Sequence, residues 1–206
     1  MTGDTTMHIL SRAALAVVLV AAAAHAHAVN GTSVMASAGS TASGQVWRDP
    51  QGNVIPDTDS RKSVDGFSGM LLVTPDMNWR EKWDTPPEVV PHFAEADKVV
   101  RGERLAILIF FSNPRLVDGL VDTIVDLKVA RPDGTFAGET VGSPCYSGSL
   151  PGNPANVLLC ESSLMYSADP EDLAGRWTVE VLLKDRKRGV SIPLRTAFDV
   201  VDEVER

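Results

Sequence analysis

Trp177-Thr178-Val179-Glu180-Val181-Leu182-Leu183-Lys184, a charged break at Asp185-Arg186-Lys187-Arg188-Gly189, and Val190-Ser191-Ile192-Pro193-Leu194-Arg195-Thr196-Ala197-Phe198-Asp199-Val200 form the stretch that decides the fold. Trp177, Val179, Val181 and Leu183 alternate with Thr178, Glu180 and Lys184. Val190, Ile192, Leu194, Thr196, Phe198 and Val200 fall on one face of the second run. A period of two with one apolar face is the signature of a half-buried strand. Two such runs joined by a short charged loop predict a hairpin. Pro193 falls on the opposite face and has no N–H, which suits an edge strand.

Working toward the N-terminus, the same alternation runs through Val121, Thr123, Val125, Leu127 and Val129, with Asp122, Asp126 and Lys128 facing water. Arg131-Pro132-Asp133-Gly134 then supplies turn chemistry. Leu105 to Phe111 is continuously apolar and short, as expected of a strand covered on both faces. Met70 to Thr74 reads as an earlier strand stopped by Pro75, and Asp76 to Trp83 as a turn of helix ahead of Pro86-Pro87. Short strands, frequent turns and almost no helix predict an all-β chain folded as a single antiparallel sandwich, with a short helical turn near 76–84.

The closing stretch carries a resemblance. Asp169-Pro170-Glu171-Asp172-Leu173-Ala174-Gly175-Arg176-Trp177-Thr178-Val179-Glu180-Val181, then Asp185, Gly189 and Phe198-Asp199-Val200, resembles the last two strands of bacterial secreted immunoglobulin-like β-sandwich domains. There a Gly-x-aromatic entry leads into a long strand, a charged turn and a returning strand. The resemblance implies an immunoglobulin-like fold and no particular function. Trp177 stands where a Tyr is more usual. Cys145 and Cys160 lie too close together to be the inter-sheet pair of antibody domains.

The N-terminal region reads as an address. Arg12 precedes the apolar run Ala13 to Ala24, and Ala26-His27-Ala28 offers small residues at the positions a signal peptidase requires, with Ala24-His25-Ala26 as the alternative. The run is too short to cross a bilayer, which takes roughly 20 residues. The expected organisation is a signal peptide over 1–28, a flexible leader over 29–45, an irregular arm with at most one short strand over 46–66, and the sandwich over 67–202. The true start is Met1 or Met7. The expected location is the periplasm or the outside of the cell, with no membrane insertion after cleavage. In such an oxidising compartment Cys145 and Cys160, the only two cysteines, are expected to pair and to tie the ends of a loop or hairpin.

Charge and motif content narrow the function. The chain has 19 Lys and Arg against 27 Asp and Glu, a net charge of -8; loss of Arg12 and Asp4 with the signal leaves that balance unchanged. Nucleic acid and anionic lipid demand clustered positive charge, so neither is an expected partner. Cleavage leaves His92 as the one histidine, which excludes a multi-histidine zinc site; a Ser-His-Asp hydrolase would have to use His92, and the G-x-S-x-G elbow is absent. No phosphate-binding or dinucleotide motif occurs, and no cofactor or metal is expected. His92, within Pro91-His92-Phe93, is read as either a surface and packing residue or a base.

Candidate binding residues remain. Trp79 and Trp83 are four apart, on one face of a helical turn, and either cap core left open by the strands or present a binding face. His92 and Phe93 follow in the same Pro-rich connection. Glu81, Asp84, Glu88, Glu95 and Asp97 flank the tryptophans as possible paired acids. Asp57, Asp59 and Asp65 lack the spacing of a calcium loop. Arg186, Lys187 and Arg188 form a basic tip, either solvated or docking an anionic partner. The expectation is a non-catalytic exported sandwich that binds a protein of the envelope or the cell exterior. The alternative is a carbohydrate-binding module using Trp79 and Trp83. An uncharacterised hydrolase ranks third.

Overall fold

The computed structural model describes residues 18–21, 47–48, 51–85, 91–150 and 152–202. The expected leader, the cleavage site after Ala28, and Glu88 lie outside the described residues. Eleven strands and one helix follow in order: β1 Val18–Ala21, β2 Arg61–Val64, β3 Phe67–Thr74, α1 Trp79–Trp83, β4 Lys98–Val100, β5 Arg104–Ser112, β6 Leu120–Ala130, β7 Phe136–Ser149, β8 Val157–Leu159, β9 Ser162–Ser167, β10 Gly175–Asp185 and β11 Val190–Val201. They form two sheets. The first runs β1-β9-β5-β3-β2, with β8 also on β5; the second runs β4-β11-β10-β6-β7. The chain is a β-sandwich.

The alternating patterns form the interior as expected. Trp177, Val179, Val181 and Leu183 of β10, Val121, Val125, Leu127 and Val129 of β6, and Ile192, Leu194, Phe198 and Val200 of β11 are buried in one apolar core with Phe67, Leu71 and Val73 of β3. The β10–β11 hairpin is in register from Gly175↔Val200 to Asp185↔Val190. At Gly69 of β3 the two sheets approach so closely that a Cβ would lie 2.7 Å from Leu183 Cδ2 and 3.1 Å from Leu194 Cδ1; glycine is what lets them meet. Pro193 faces the solvent side of β11. Arg195 N–H donates to Asp59 C=O, outside the sheet. Residues two apart send their N–H groups to the same side, so the N–H that Pro193 lacks would have pointed outward.

Two features depart from the simplest reading. β4 pairs parallel to β11, Asp199↔Lys98 through Val201↔Val100, so the sandwich is not wholly antiparallel. The short strand allowed for in the arm is Arg61–Val64, which joins the first sheet as a hairpin with β3. Its two-residue turn, Asp65-Gly66, has φ of 49° and 80°, the left-handed pair that matches strand twist and that Asp-Gly adopts readily. The second concerns where the cysteines sit. Cys145 and Cys160 are bonded as expected, with Cα atoms 4.5 Å apart, and what they close is a loop that crosses between layers rather than a hairpin. Cys145 lies in β7, at the edge of the second sheet; Cys160 N–H donates to Ile109 C=O of β5 in the first. The bond therefore joins the two sheets along one side, despite the short separation, because the chain crosses between layers within those residues. Replacing both cysteines by alanine is expected to lower stability by about 3 kcal/mol for a loop of this length, read as a lower urea midpoint under oxidising conditions.

Candidate functional site

The two outer faces of the sandwich differ in chemistry. On the second sheet, ion pairs cross the face: Lys184–Asp126 at 2.5 Å, Lys128–Glu139 at 2.9 Å, Arg176–Asp199 at 3.4 Å, Arg186–Asp122 at 3.5 Å and Arg195–Glu180 at 3.7 Å. Such a ladder is at home in water. The first sheet is apolar on its outer face as well as its inner one. Of the run Leu105 to Phe111, the odd positions enter the main core, while Ala106, Leu108 and Phe110 point outward into a second apolar cluster. Met70 and Leu72 of β3, Val157 and Leu159 of β8, and Met165 of β9 extend that cluster and are only partly buried.

The segment after β3 is folded onto this outer face. Trp79 and Trp83 do share one face of α1, and both turn toward β5; Trp83 lies 5.5 Å from the Phe110 ring, and Phe93 lies 5.9 Å from it on another side. Asp76 fastens both parts of the cap, accepting from Lys82 Nζ at 2.7 Å and from Ala94 N–H at 2.9 Å. The Lys82 ammonium, then the Ala94 amide, hold its carboxyl below the usual range. Ala96 N–H donates to Val73 C=O and lays the returning chain beside β3. The cap thus covers one part of an apolar sheet face and leaves Met70, Leu72, Val157 and Leu159 at its margin.

The sequence candidates separate on this geometry. Trp79, Trp83 and Phe93 are brought together, with His92 exposed beside them. Trp79 is 6 % exposed and carries the Arg80 guanidinium 4.5 Å over its ring; Trp83 is half-buried. The rings cover the outer face of a sheet rather than an open end of the sandwich. Arg186, Lys187 and Arg188 lie elsewhere, at the β10–β11 turn. Arg186 pairs with Asp122. Arg188 is half-buried and donates to Asp65 C=O at 2.8 Å and Asn113 C=O at 2.9 Å, so its charge links two neighbouring loops; Lys187 is exposed. Asp57 accepts from Ser63 N–H and Asp59 pairs with Lys62, which places both in the local structure of the β2 hairpin.

Away from this face, a concavity of about 260 Å³ is lined by Arg131, Asp133, Thr135, Asp169, Glu171, Asp172 and Leu173. Its carboxylates organise the loop before β10. Asp172 accepts from Tyr166 O–H at 2.7 Å and Asp169 N–H at 3.1 Å, and Arg101 donates to the carbonyls of Asp169, Pro170 and Asp172. Burial, with Asp172 and Glu171 nearby, raises the Asp169 carboxyl. Among the described residues no group of three or more His, Cys, Asp or Glu is placed to hold a metal ion. No described helix is long and apolar enough to cross a membrane.

Sequence reasoning singled out the tryptophans and Phe93 but missed the sheet face beneath them. The available signal was the double-sided apolarity of Leu105 to Phe111, which required a cover on both sides.

No protein-family model matches the chain, and no curated protein sequence matches it. Among solved structures, a family 123 glycoside hydrolase from Clostridium perfringens, studied for glycolipid glycan hydrolysis, is similar over 67% of this chain and 28% of its own length, at 7% identity and a TM-score of 0.35. An alkylpurine DNA glycosylase of Pseudomonas fluorescens, bound to DNA containing an abasic site analogue, is similar over 50% of this chain and 27% of its own length, at 14% identity and a TM-score of 0.33. The chain spans less than a third of either protein, and likeness at this level carries no inference about activity.

Proposed function

We propose that this chain is an exported, non-catalytic β-sandwich of immunoglobulin-like type that binds a protein of the envelope or the cell exterior. The contact surface is the apolar outer face of the first sheet and the aromatic cap beside it. The observation that carries the reading is the contrast between the outer faces: ion pairs across one, and Met70, Leu72, Val157, Leu159 and Met165 partly uncovered on the other. Partly uncovered apolar side chains beside an aromatic cap suit contact with another protein. The disulfide is compatible with an oxidising compartment.

The sugar-platform alternative is less well supported, because a pyranose needs an open ring face. Trp79 is buried under Arg80, and Trp83 packs on Phe110. The test is capture of the tagged protein from its own envelope fraction after brief crosslinking, beside Trp83→Ala and Lys187→Ala chains whose unfolding midpoints have been measured. One stoichiometric protein partner, retained by Lys187→Ala and reduced about tenfold by Trp83→Ala, is expected, since an aromatic anchor contributes about 1.4 kcal/mol or more. Retention on a glycan array that Trp83→Ala abolishes, with no protein captured, would overturn the reading in favour of the sugar module.

A further inference from the structure

β9 forms the outer strand of the first sheet within the described domain body, and its far side is occupied by β1: Val18↔Met165, Leu19↔Leu164, Val20↔Ser163 and Ala21↔Ser162, antiparallel. β1 belongs to the stretch read as the signal peptide, so the processed chain has no β1 and this ladder is open. We propose that the β9 edge, Ser162–Met165, is a strand acceptor that takes an extended apolar segment of the protein partner as an added antiparallel strand. The inference rests on the binding reading above and specifies its mode.

Three observations carry it. First, the chain itself shows what the edge accepts: a four-residue apolar strand, Val-Leu-Val-Ala, in regular antiparallel register. Second, β9 lacks the devices by which open edges avoid pairing. Its sequence, Ser-Ser-Leu-Met-Tyr-Ser, has no proline, glycine or charge. β7, the edge of the second sheet on the same side, has all of them: Pro144, Glu139, Gly142 at φ 69°, Gly148 at φ 134°, and three register shifts against β6. One edge is blocked and its neighbour is not. Third, the acceptor continues into the proposed contact face. Leu164 and Tyr166 enter the main core, which turns Ser163 and Met165 outward, and Met165 belongs to the outer apolar cluster. Main-chain hydrogen bonds would supply affinity, and alternate side chains lying on the Met165 side would supply selectivity.

The experiment uses the processed protein, exported from the full-length gene, and a labelled peptide of residues 16–23 with two lysines at each end. Two further peptides carry backbone N-methyl groups, one at positions 18 and 20 and the other at 19 and 21. Alternate N–H groups face opposite sides of a strand. The unmodified peptide is therefore expected to bind and to slow amide exchange at Ser162–Met165. One methylated peptide should lose about tenfold or more in affinity, from two hydrogen bonds of about 1 kcal/mol each, while the other keeps it. Equal binding of the two methylated peptides, absence of binding, or self-association of the processed protein through this edge would overturn the proposal. A Ser163→Lys chain, checked for an unchanged unfolding midpoint, separates this inference from the broader reading. Partner capture that survives Ser163→Lys but not Trp83→Ala removes the strand acceptor and leaves the contact face standing. Absence of any protein partner removes the broader reading, while the peptide series still decides the edge.

Discussion

Replacing Trp177 by alanine is expected to lower stability by about 3–5 kcal/mol, the usual cost of removing a fully enclosed large aromatic. Trp177 is 0 % exposed and is the largest of the fully buried side chains. Its ring lies 5.2 Å from Tyr166 and stacks at 6.5 Å on Phe198; Tyr166 and Phe198 are themselves 4.8 Å apart. The three residues come from β9, β10 and β11, so the cluster joins the two sheets. The indole N–H donates to Leu173 C=O at 2.9 Å and fixes the loop entering β10. Alanine would leave a cavity between layers and an unpaired carbonyl. Trp177→Phe keeps most of the ring and loses the hydrogen bond, so it should cost less than half as much. Thermal unfolding of the two variants checks the order: at about 2–4 °C per kcal/mol for a chain of this size, Trp177→Ala should melt about 6–20 °C below the parent.

The second large effect is expected at Asp185, which reads as one more residue of a charged loop but is 1 % exposed. Its carboxylate accepts from Arg115 N–H at 2.7 Å, Arg188 N–H at 2.9 Å and Lys187 N–H at 3.0 Å, and the Arg188 guanidinium lies 3.5 Å away. The group closes the β10–β11 turn and ties it to the loop between β5 and β6. Asp185→Ala would strand three amides and a half-buried cation and is expected to cost about 3 kcal/mol. Asp185→Asn keeps one acceptor oxygen and should fall between the two. Urea midpoints for the three chains test this; equal stability of Asp185→Ala and the parent would show that water replaces the carboxylate without loss.

These two residues illustrate what can be read from the chain alone. Trp177 begins an alternating run whose period and length leave only one role for it, and β6, β10 and β11 follow from the same pattern because half-buried strands write their geometry into sequence. Asp185 gives no such signal, since a carboxylate that organises a turn and one that is merely solvated have the same local sequence. That the Cys145–Cys160 bond joins the two sheets gives no local signal for a related reason. β7 is rich in Gly, Ser and Thr and carries three register shifts, so the strand that takes Cys145 to the second sheet has a weak pattern. Lys98–Val100 is three residues long and takes its identity from β11 beside it. Arg61–Val64 lies in a stretch with too few apolar residues to show an alternating pattern, so a short strand there could be allowed for but not placed. At the candidate site, the spacing of Trp79 and Trp83 placed both rings on one helical face, but what they face depends on Ala106, Leu108 and Phe110, in a run whose uniform apolarity conceals which residues point outward.

The central claim is that the outer face of the first sheet, and not that of the second, meets a protein. Photo-crosslinking compares them directly: a light-activated amino acid is placed singly at Leu72 and Leu159 on the first face, and at Leu182 and Ala197 on the second, in the protein produced in its own cells. A discrete protein adduct from Leu72 and Leu159, with none from Leu182 and Ala197, is the predicted result. Adducts confined to Leu182 and Ala197, or none from any of the four positions, would contradict the account.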